Sequence, residues 1–197
     1  MNLRIMSIML ATISSIPFMA GCGEYTRTPL YLDAGFKPVK GQQLMMLHCV
    51  DARYNKTSEK LNDGELDKLV RSERSSLEKR GYKIVLDNRP ASAMPPAELI
   101  ADMNDDQIAT LAPKDAELVF LFVLDDLVVN YTVMTKVAKA EGCAYIIDTR
   151  TGKVGWKDRA NASSAQGGLI SGLTPMRDEV LQRCLNWMFL SIPKCQK

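Results

Sequence analysis

The chain has 197 residues, of which 46% are hydrophobic and 24% charged, with 25 Lys and Arg against 23 Asp and Glu. This near balance argues against a basic surface for polyanions, so we expect no nucleic-acid partner. The sequence has one histidine and no Cys-x-x-Cys pair, which argues against a zinc site, and we expect no metal and no cofactor.

The first 21 residues have the pattern of a secretory signal. A positive charge at Arg4 precedes an apolar stretch over residues 5–19 and the small residues Ala20 and Gly21. A transmembrane helix needs about 20 apolar residues, and this stretch is shorter. Because Cys22 follows directly, the segment resembles a bacterial lipobox, in which the cysteine is acylated and the chain is cut before it. An ordinary cleaved signal and an uncleaved anchor are the alternatives.

The lipobox resemblance implies that residues 1–21 are removed and that palmitate and other acyl chains on Cys22 hold the protein to a membrane. Each buried methylene contributes about 0.8 kcal/mol, so several chains anchor it stably. No Asp follows the cysteine, which by the bacterial sorting convention favours the outer membrane, facing the periplasm. Residues 22–40 are irregular and predict a flexible tether. Residues 41–197 remain for a single domain.

The first half of this domain alternates strands with helices. Residues 43–50 are apolar and predict a buried strand. An amphipathic pattern with a basic last turn before a glycine predicts a helix over residues 65–80. A second strand follows over residues 82–87. Prolines and an Asn-Asp-Asp cap then predict two short helices, over residues 95–103 and 107–112.

The second half is dominated by long strands and a final helix. Residues 116–129 are the most apolar part and predict a strand covered on both faces. Residues 133–148 and 153–162 predict a hairpin whose turn uses Gly152 at a positive φ. Gly142 is a candidate bulge. A helical apolar stripe follows Pro175. This order of elements predicts an α/β domain, a mixed β-sheet flanked by helices.

Two features suggest surfaces for a partner. Residues 163–172 are rich in Ser and Gly and predict a loop, whose apolar residues are costly to expose unless a partner covers them or they fold back over the sheet. Trp156 and Trp187 are either interface anchors or core residues. The candidate partner-binding residues are Gly167, Gly168, Leu169, Ile170 and Trp156.

Four cysteines remain after Cys22, an even number that in an exported protein suggests disulfides. Two bridges allow three pairings, and the sequence does not decide among them. The predicted elements favour Cys49–Cys143 with Cys184–Cys195. Buried free thiols are the alternative.

No catalytic constellation is visible in the sequence. His48 lies in an apolar strand without a nucleophile motif, which indicates a structural role. Asp125 and Asp126 are adjacent strand residues whose side chains point to opposite faces. Phosphate-binding glycine loops and the G-x-S-x-G turn are absent. We therefore predict that the protein is not an enzyme.

The hairpin sequence over residues 144–156, AYIIDTRTGKVGW, resembles the "v-D-x-r-[ST]-G-k-x-x-W" hairpin of bacterial envelope lipoproteins related to the curli-secretion lipoprotein. Residues 160–170 are similar to a small family of outer-membrane lipoproteins of unknown function. The resemblance implies a fold like the TolB amino-terminal domain and the LpoB-type activators of penicillin-binding proteins, which is anticodon-binding-like. It also implies no enzymatic activity.

This resemblance suggests an accessory or scaffolding component of an envelope assembly or transport complex. Its partners would be the membrane, through the lipid, and other envelope proteins or lipoproteins, with a homo-oligomer as one option. An LpoB-type regulator of peptidoglycan synthesis is an alternative, but a tether over residues 22–40 spans only about 60 Å. The other alternative is a subunit of a curli-type secretion pore, for which residues 136–145 are the candidate membrane-inserting strand.

Overall fold

A mixed β-sheet runs through the centre of the fold in the computed structural model, which describes residues 29–54, 61–62, 64–131, 135–167 and 176–197. Its strands are, in chain order, β1 Tyr31–Leu32, β2 Gln43–Met46, β3 Val50–Asp51, β4 Lys83–Leu86, β5 Leu118–Tyr131, β6 Thr135–Asp148 and β7 Lys153–Gly167. Their order across the sheet is β1-β7-β6-β5-β2-β4, and β3 pairs with β5. The predicted mixed α/β sheet is confirmed.

The helices pack on both faces of this sheet. They are α1 Glu65–Ser72, α2 Arg74–Lys79, α3 Ala97–Ala101, α4 Asp105–Ala109 and α5 Met176–Ser191, with a 3-10 turn over Ala91–Ala93. β2 is parallel to β4 and β5 because helical segments connect these strands, whereas β5, β6 and β7 form an antiparallel meander. None of the described helices is long and apolar enough to cross a membrane.

Two apolar cores lie on the two sides of β5. Phe120 and Phe122 belong to the core under α1, α2 and α5, whereas Val119 and Leu121 belong to the core under α3 and α4. Because a core covers each face of β5, the strand is apolar at successive positions, which is the run that predicts it. A register shift between Leu124 and Asp126 then reverses the alternation. The bulge therefore lies in β5, across from Gly142, and not at Gly142 as the sequence suggests.

Beyond this bulge, β5, β6 and β7 continue as a three-stranded ribbon, comprising residues 126–131, 135–141 and 161–167. Its inner face is buried under α5 through the small residues Ala138, Ala140 and Ala162. β7 extends to Gly167, so residues 163–167 form a strand where the sequence predicts a loop. The predicted membrane-inserting strand, residues 136–145, lies in β6 between β5 and β7.

The predicted strand over residues 43–50 is interrupted after Met46, and only Val50 and Asp51 resume it. The physical reason is a contact with a later element: the backbone N–H of Cys49 donates to the Asp67 carboxylate of α1, at 2.6 Å. The predicted helix over residues 65–80 likewise divides at Glu73. The capping box at Asn104 and Gln107, and the positive φ of 66° at Gly152, agree with the sequence patterns.

Residues 31–39 pack on the domain, although the sequence predicts a flexible tether over residues 22–40. β1 pairs with β7 at Trp156 and Lys157, Phe36 is buried, and Val39 forms a bridge with Gln196. The prediction of a flexible tether is therefore wrong for this part of the chain. Cys22, which lies outside the described residues, is nine positions before Tyr31.

Candidate functional site

The histidine, one cysteine and one carboxylate meet where β2 ends against α1. His48 Nδ1 lies 2.6 Å from Asp67 Oδ2, and His48 Nε2 lies 2.7 Å from the backbone carbonyl oxygen of Arg89. Both ring nitrogens therefore face acceptors, and only the protonated imidazolium donates from both. Asp67 Oδ1 also accepts the backbone N–H of Cys49 at 2.6 Å. These bonds join the end of β2 to α1 and to the loop after β4.

The electrostatics of this cluster match a structural role. Burial lowers the pKa of His48, but hydrogen bonds to Asp67 and to the Arg89 carbonyl outweigh burial and raise that pKa above its ordinary value. Burial and the Asp67 charge raise the pKa of the Cys49 thiol well above its ordinary value. Because the thiolate is the nucleophilic form, this environment suppresses the reactivity of Cys49. The prediction of a structural His48 agrees with this geometry.

The four cysteines in the described part of the chain are free thiols. Cys49 packs against the core under α5, whereas Cys143 belongs to the core on the opposite side of the sheet. Cys184 Sγ contacts the carbonyl oxygen of Ala160 at 3.2 Å, and Cys195 lies against Gly81. The predicted pairs Cys49–Cys143 and Cys184–Cys195 are therefore not formed in this structure, and for the first pair the reason is that its two thiols lie on opposite sides of the sheet.

Trp156, a predicted partner-binding residue, is instead a core residue. Its side chain is fully buried, and its indole Nε1 donates to the carbonyl oxygen of Ser191 at 3.1 Å. Ser191 Oγ in turn donates to Asp158 Oδ2 at 2.6 Å. Trp156 thus fixes the end of α5 on β7. Trp187, the other tryptophan, is 46% exposed on α5.

The remaining predicted partner-binding residues lie at or beyond the end of β7. Gly167 is the last residue of that strand and pairs with Thr135. Gly168, Leu169 and Ile170 lie outside the described residues and stay predictions, as does the acylation of Cys22.

The outer face of the sheet, where the ribbon begins, carries a cluster of charged side chains that no helix covers in the described part of the chain. Arg159 Nη2 lies 3.3 Å from Asp125 Oδ2 and Arg159 Nη1 lies 3.6 Å from Glu141 Oε1. Lys139 Nζ is 3.4 Å from Glu141 Oε2 and 3.8 Å from Asp126 Oδ2. Two cations and three carboxylates thus share one half-exposed surface, which we call the ribbon face.

Asp125 is a partly buried acid of the ribbon face. Burial raises the pKa of Asp125; Arg159 opposes this shift, and the charges of Glu141 and Asp126 add to it. The sequence predicts that Asp125 and Asp126 point to opposite faces, and this is wrong: the bulge between Leu124 and Asp126 interrupts the alternation, so both side chains reach the same surface. The cluster arises from cross-strand register among three strands, which the sequence pattern does not give.

A short apolar surface lies at the edge of the sheet, at the start of the described chain. Leu30, Tyr31 and Leu32 are between 41% and 62% exposed. They form or precede β1, at the edge of the sheet. Exposed apolar residues in a row are unusual on a monomer surface, and here they are eight to ten positions from Cys22.

Comparison with solved structures finds similar structures among bacterial proteins. The structure is similar to lipoprotein GNA1162 from Neisseria meningitidis, at 14% identity and a TM-score of 0.45 over 75% of this chain and 97% of that one. It is similar to hypothetical protein CT253 from Chlamydia trachomatis, at 13% identity and a TM-score of 0.50 over 75% of this chain and 93% of that one.

A third similar structure is a PelC dodecamer from Paraburkholderia phytofirmans, at 10% identity and a TM-score of 0.44 over 84% of this chain and 96% of that one. At 13% identity and a TM-score of 0.50, the similarity to CT253 shows the fold and nothing more specific. In sequence, no protein-family model and no curated protein matches the chain.

Proposed function

We propose that the chain is a non-catalytic outer-membrane lipoprotein, anchored through Cys22, that binds other envelope proteins from the periplasmic side. The observation that carries this proposal is the docking of Tyr31 and Leu32 on β7. The lipobox pattern places the anchor nine residues before this contact. The sheet edge is therefore within about 32 Å of the acylated residue, even along a fully extended chain.

This short distance favours an accessory role at the membrane over an LpoB-type regulator that reaches across the periplasm. The exposed Leu30, Tyr31 and Leu32 are then within reach of the lipid headgroups, where amphipathic and apolar side chains are favourable. The ribbon face points its charges away from the core and offers electrostatic complementarity to a partner. A role as a scaffold in an assembly or transport complex agrees with these features.

Anchoring is tested by fractionating cells that express the full chain and by labelling them with a clickable palmitate analogue. We expect the wild-type chain in the outer-membrane fraction with the label attached. Cys22→Ser should lose both the label and the outer-membrane location. Cys49→Ser is the matched control and should keep both. An unlabelled wild-type chain, or a labelled Cys22→Ser chain, would contradict the proposal.

Partner binding is tested separately by crosslinking in intact cells, followed by mass spectrometry. Lys139→Glu reverses a charge on the ribbon face, and Lys114→Glu reverses one on the exposed loop before β5. We expect Lys139→Glu to reduce specific crosslinks at least several-fold and Lys114→Glu to leave them unchanged. Equal effects of the two variants would exclude the ribbon face as the binding surface.

A further inference from the structure

The outer edge of β7 is covered by β1 over only two residues. β1 pairs at Trp156 and Lys157, and no strand in the described part of the chain pairs with β7 on this side beyond them. The next outward N–H, that of Arg159, donates to Asp158 Oδ1 at 2.9 Å, so the covered part of the edge ends at this residue. Among the described residues, none pairs with the outer side of residues 161–167, which we call the open edge.

The direction of the backbone groups along this edge follows from one hydrogen bond. The N–H of Asp33 donates to the carbonyl oxygen of Gly155 at 2.9 Å, so Gly155 points its backbone toward the outer side. Backbone direction alternates along a strand, and the odd-numbered residues after Gly155 point the same way. Asn161, Ser163 and Ala165 thus expose their N–H and C=O groups on the outer edge.

This edge lacks the devices that keep sheet edges from pairing. Monomeric proteins place charges, prolines or bulges on their edge strands. Residues 161–167, with the sequence NASSAQG, contain no charge and no proline, and their register with β6 is regular. The side chains of Asn161, Ser163 and Ala165 are exposed. The segment is therefore suited to receive another strand.

Trp187 lies on α5 between the two residues that hold this helix on β7, next to the start of the open edge. It lies three residues after Cys184 and four before Ser191, which is one helical face. Both of these residues bond to β7, Cys184 at Ala160 and Ser191 at Asp158. A tryptophan that is 46% exposed beside an open strand edge is a typical interface anchor.

We propose that this edge pairs with the same edge of a second copy of the chain, antiparallel and centred on Ser163. The exposed N–H and C=O groups meet only when odd-numbered residues of one copy pair with odd-numbered residues of the other. Centring on Ser163 opposes Asn161 of each copy to Ala165 of the other, so no like charges meet. The interface is isologous, and it places both α5 helices and both Trp187 side chains on one face of a continuous sheet.

The test is sedimentation equilibrium of the full chain in excess dodecyl maltoside micelles. We expect a dimer for the wild type and for Ser163→Thr, which keeps the N–H. Ser163→Pro removes an outward N–H that makes no bond within the sheet, and we expect a monomer with an unchanged circular dichroism spectrum. Trp187→Ala should weaken dimerisation at least about tenfold, and the exposed neighbour Asn186→Ala should not.

Charge exchange tests the register and does not depend on the proline variant. Ser163→Lys and Ser163→Glu each place like charges opposite each other in a homodimer, so each alone should be monomeric. Mixing the two should restore a dimer that contains one copy of each. A monomeric wild type, with the edge taken by residues 22–28 of the same chain or by another protein, overturns the proposal. Failure of the mixture to associate, or a dimeric Ser163→Lys, overturns the centring on Ser163.

Discussion

The indole Nε1 of Trp156 and the carbonyl oxygen of Ser191 are joined by a 3.1 Å hydrogen bond across 35 residues of sequence. Through this bond, β7 holds the last turn of α5, and Ser191 adds a second bond to Asp158. α5 in turn covers the inner face of the ribbon. The geometry of the ribbon, and of the edge proposed for self-association, therefore depends on a buried tryptophan.

Replacing Trp156 with Phe should destabilise the fold. The ring stays apolar, but the Ser191 carbonyl oxygen loses its donor, and leaving a buried acceptor unsatisfied costs about 1–3 kcal/mol. The free energy of unfolding in urea measures this loss. Trp187→Phe is the matched control and should change the unfolding free energy by less than about 0.5 kcal/mol. Equal losses for the two variants would contradict the assignment of Trp156 to the core.

The His48–Asp67 pair should make stability depend on pH. The folded-state pKa of His48 is raised, so its contribution is fully present below the unfolded pKa, near 6.5, and is lost as pH rises through the folded value. The unfolding free energy of the wild type should therefore be higher than that of His48→Gln, and this difference should be larger at about pH 5.5 than at about pH 9. Urea unfolding of both proteins at the two values checks this difference.

A second test of this pH dependence removes the other partner of the pair. Asp67→Asn keeps an acceptor for the Cys49 N–H but removes the charge. We expect Asp67→Asn to remove most of the pH dependence that His48→Gln removes. Its cost at acidic pH should be about 1.5–3 kcal/mol, as for hydrogen bonds to a charged group. A His48→Gln difference that is the same at both pH values would contradict the ion pair.

The sequence predicted most elements whose signal is local. The turn at Gly152, the cap at Asn104 and the apolar run of β5 each follow from neighbouring residues. It failed where a distant group decides. Asp67 interrupts the strand at Cys49, and β6 turns residues 163–167 from a Ser-rich loop into a strand.

The candidate surfaces depend even more on distant contacts. The ribbon face exists because Asp125, Glu141 and Arg159 come together from three strands. The burial of Trp156 depends on a helix end 35 residues away. Amphipathic periodicity gives the face of one element and not the register between two. Only the lipobox at Cys22 is recognised from adjacent residues alone, and the acylation of Cys22 stays a prediction.

Thiol titration should distinguish free cysteines from disulfides. The structure holds Cys49, Cys143, Cys184 and Cys195 as free thiols, and burial raises the pKa of Cys49, Cys143 and Cys195. We expect slow reaction with DTNB in the folded protein, because the thiolate is the reactive form. Unfolding in guanidinium without reductant should then expose four thiols per acylated chain. Fewer thiols, restored to four by reductant, would indicate a disulfide.

The contact between Phe36 and Gly155 should control how the N-terminal segment is held. A methyl group at Gly155 would overlap the Phe36 ring, so Gly155→Ala should displace that ring and loosen residues 31–39. Overpacking of this kind costs about 1–3 kcal/mol. The chain between Cys22 and the first strand still in place, β2, would then reach about 75 Å in place of about 32 Å.

Limited proteolysis measures this release as faster cleavage between Asp33 and Lys40, compared with the wild type. The matched test is a double-mutant cycle with Phe36→Ala, which removes the ring that the new methyl group would strike. In the Phe36→Ala background, Gly155→Ala should cost less than in the wild type, because the overlap is already gone. Additive costs would show that Gly155 acts on β7 itself and not through the N-terminal segment.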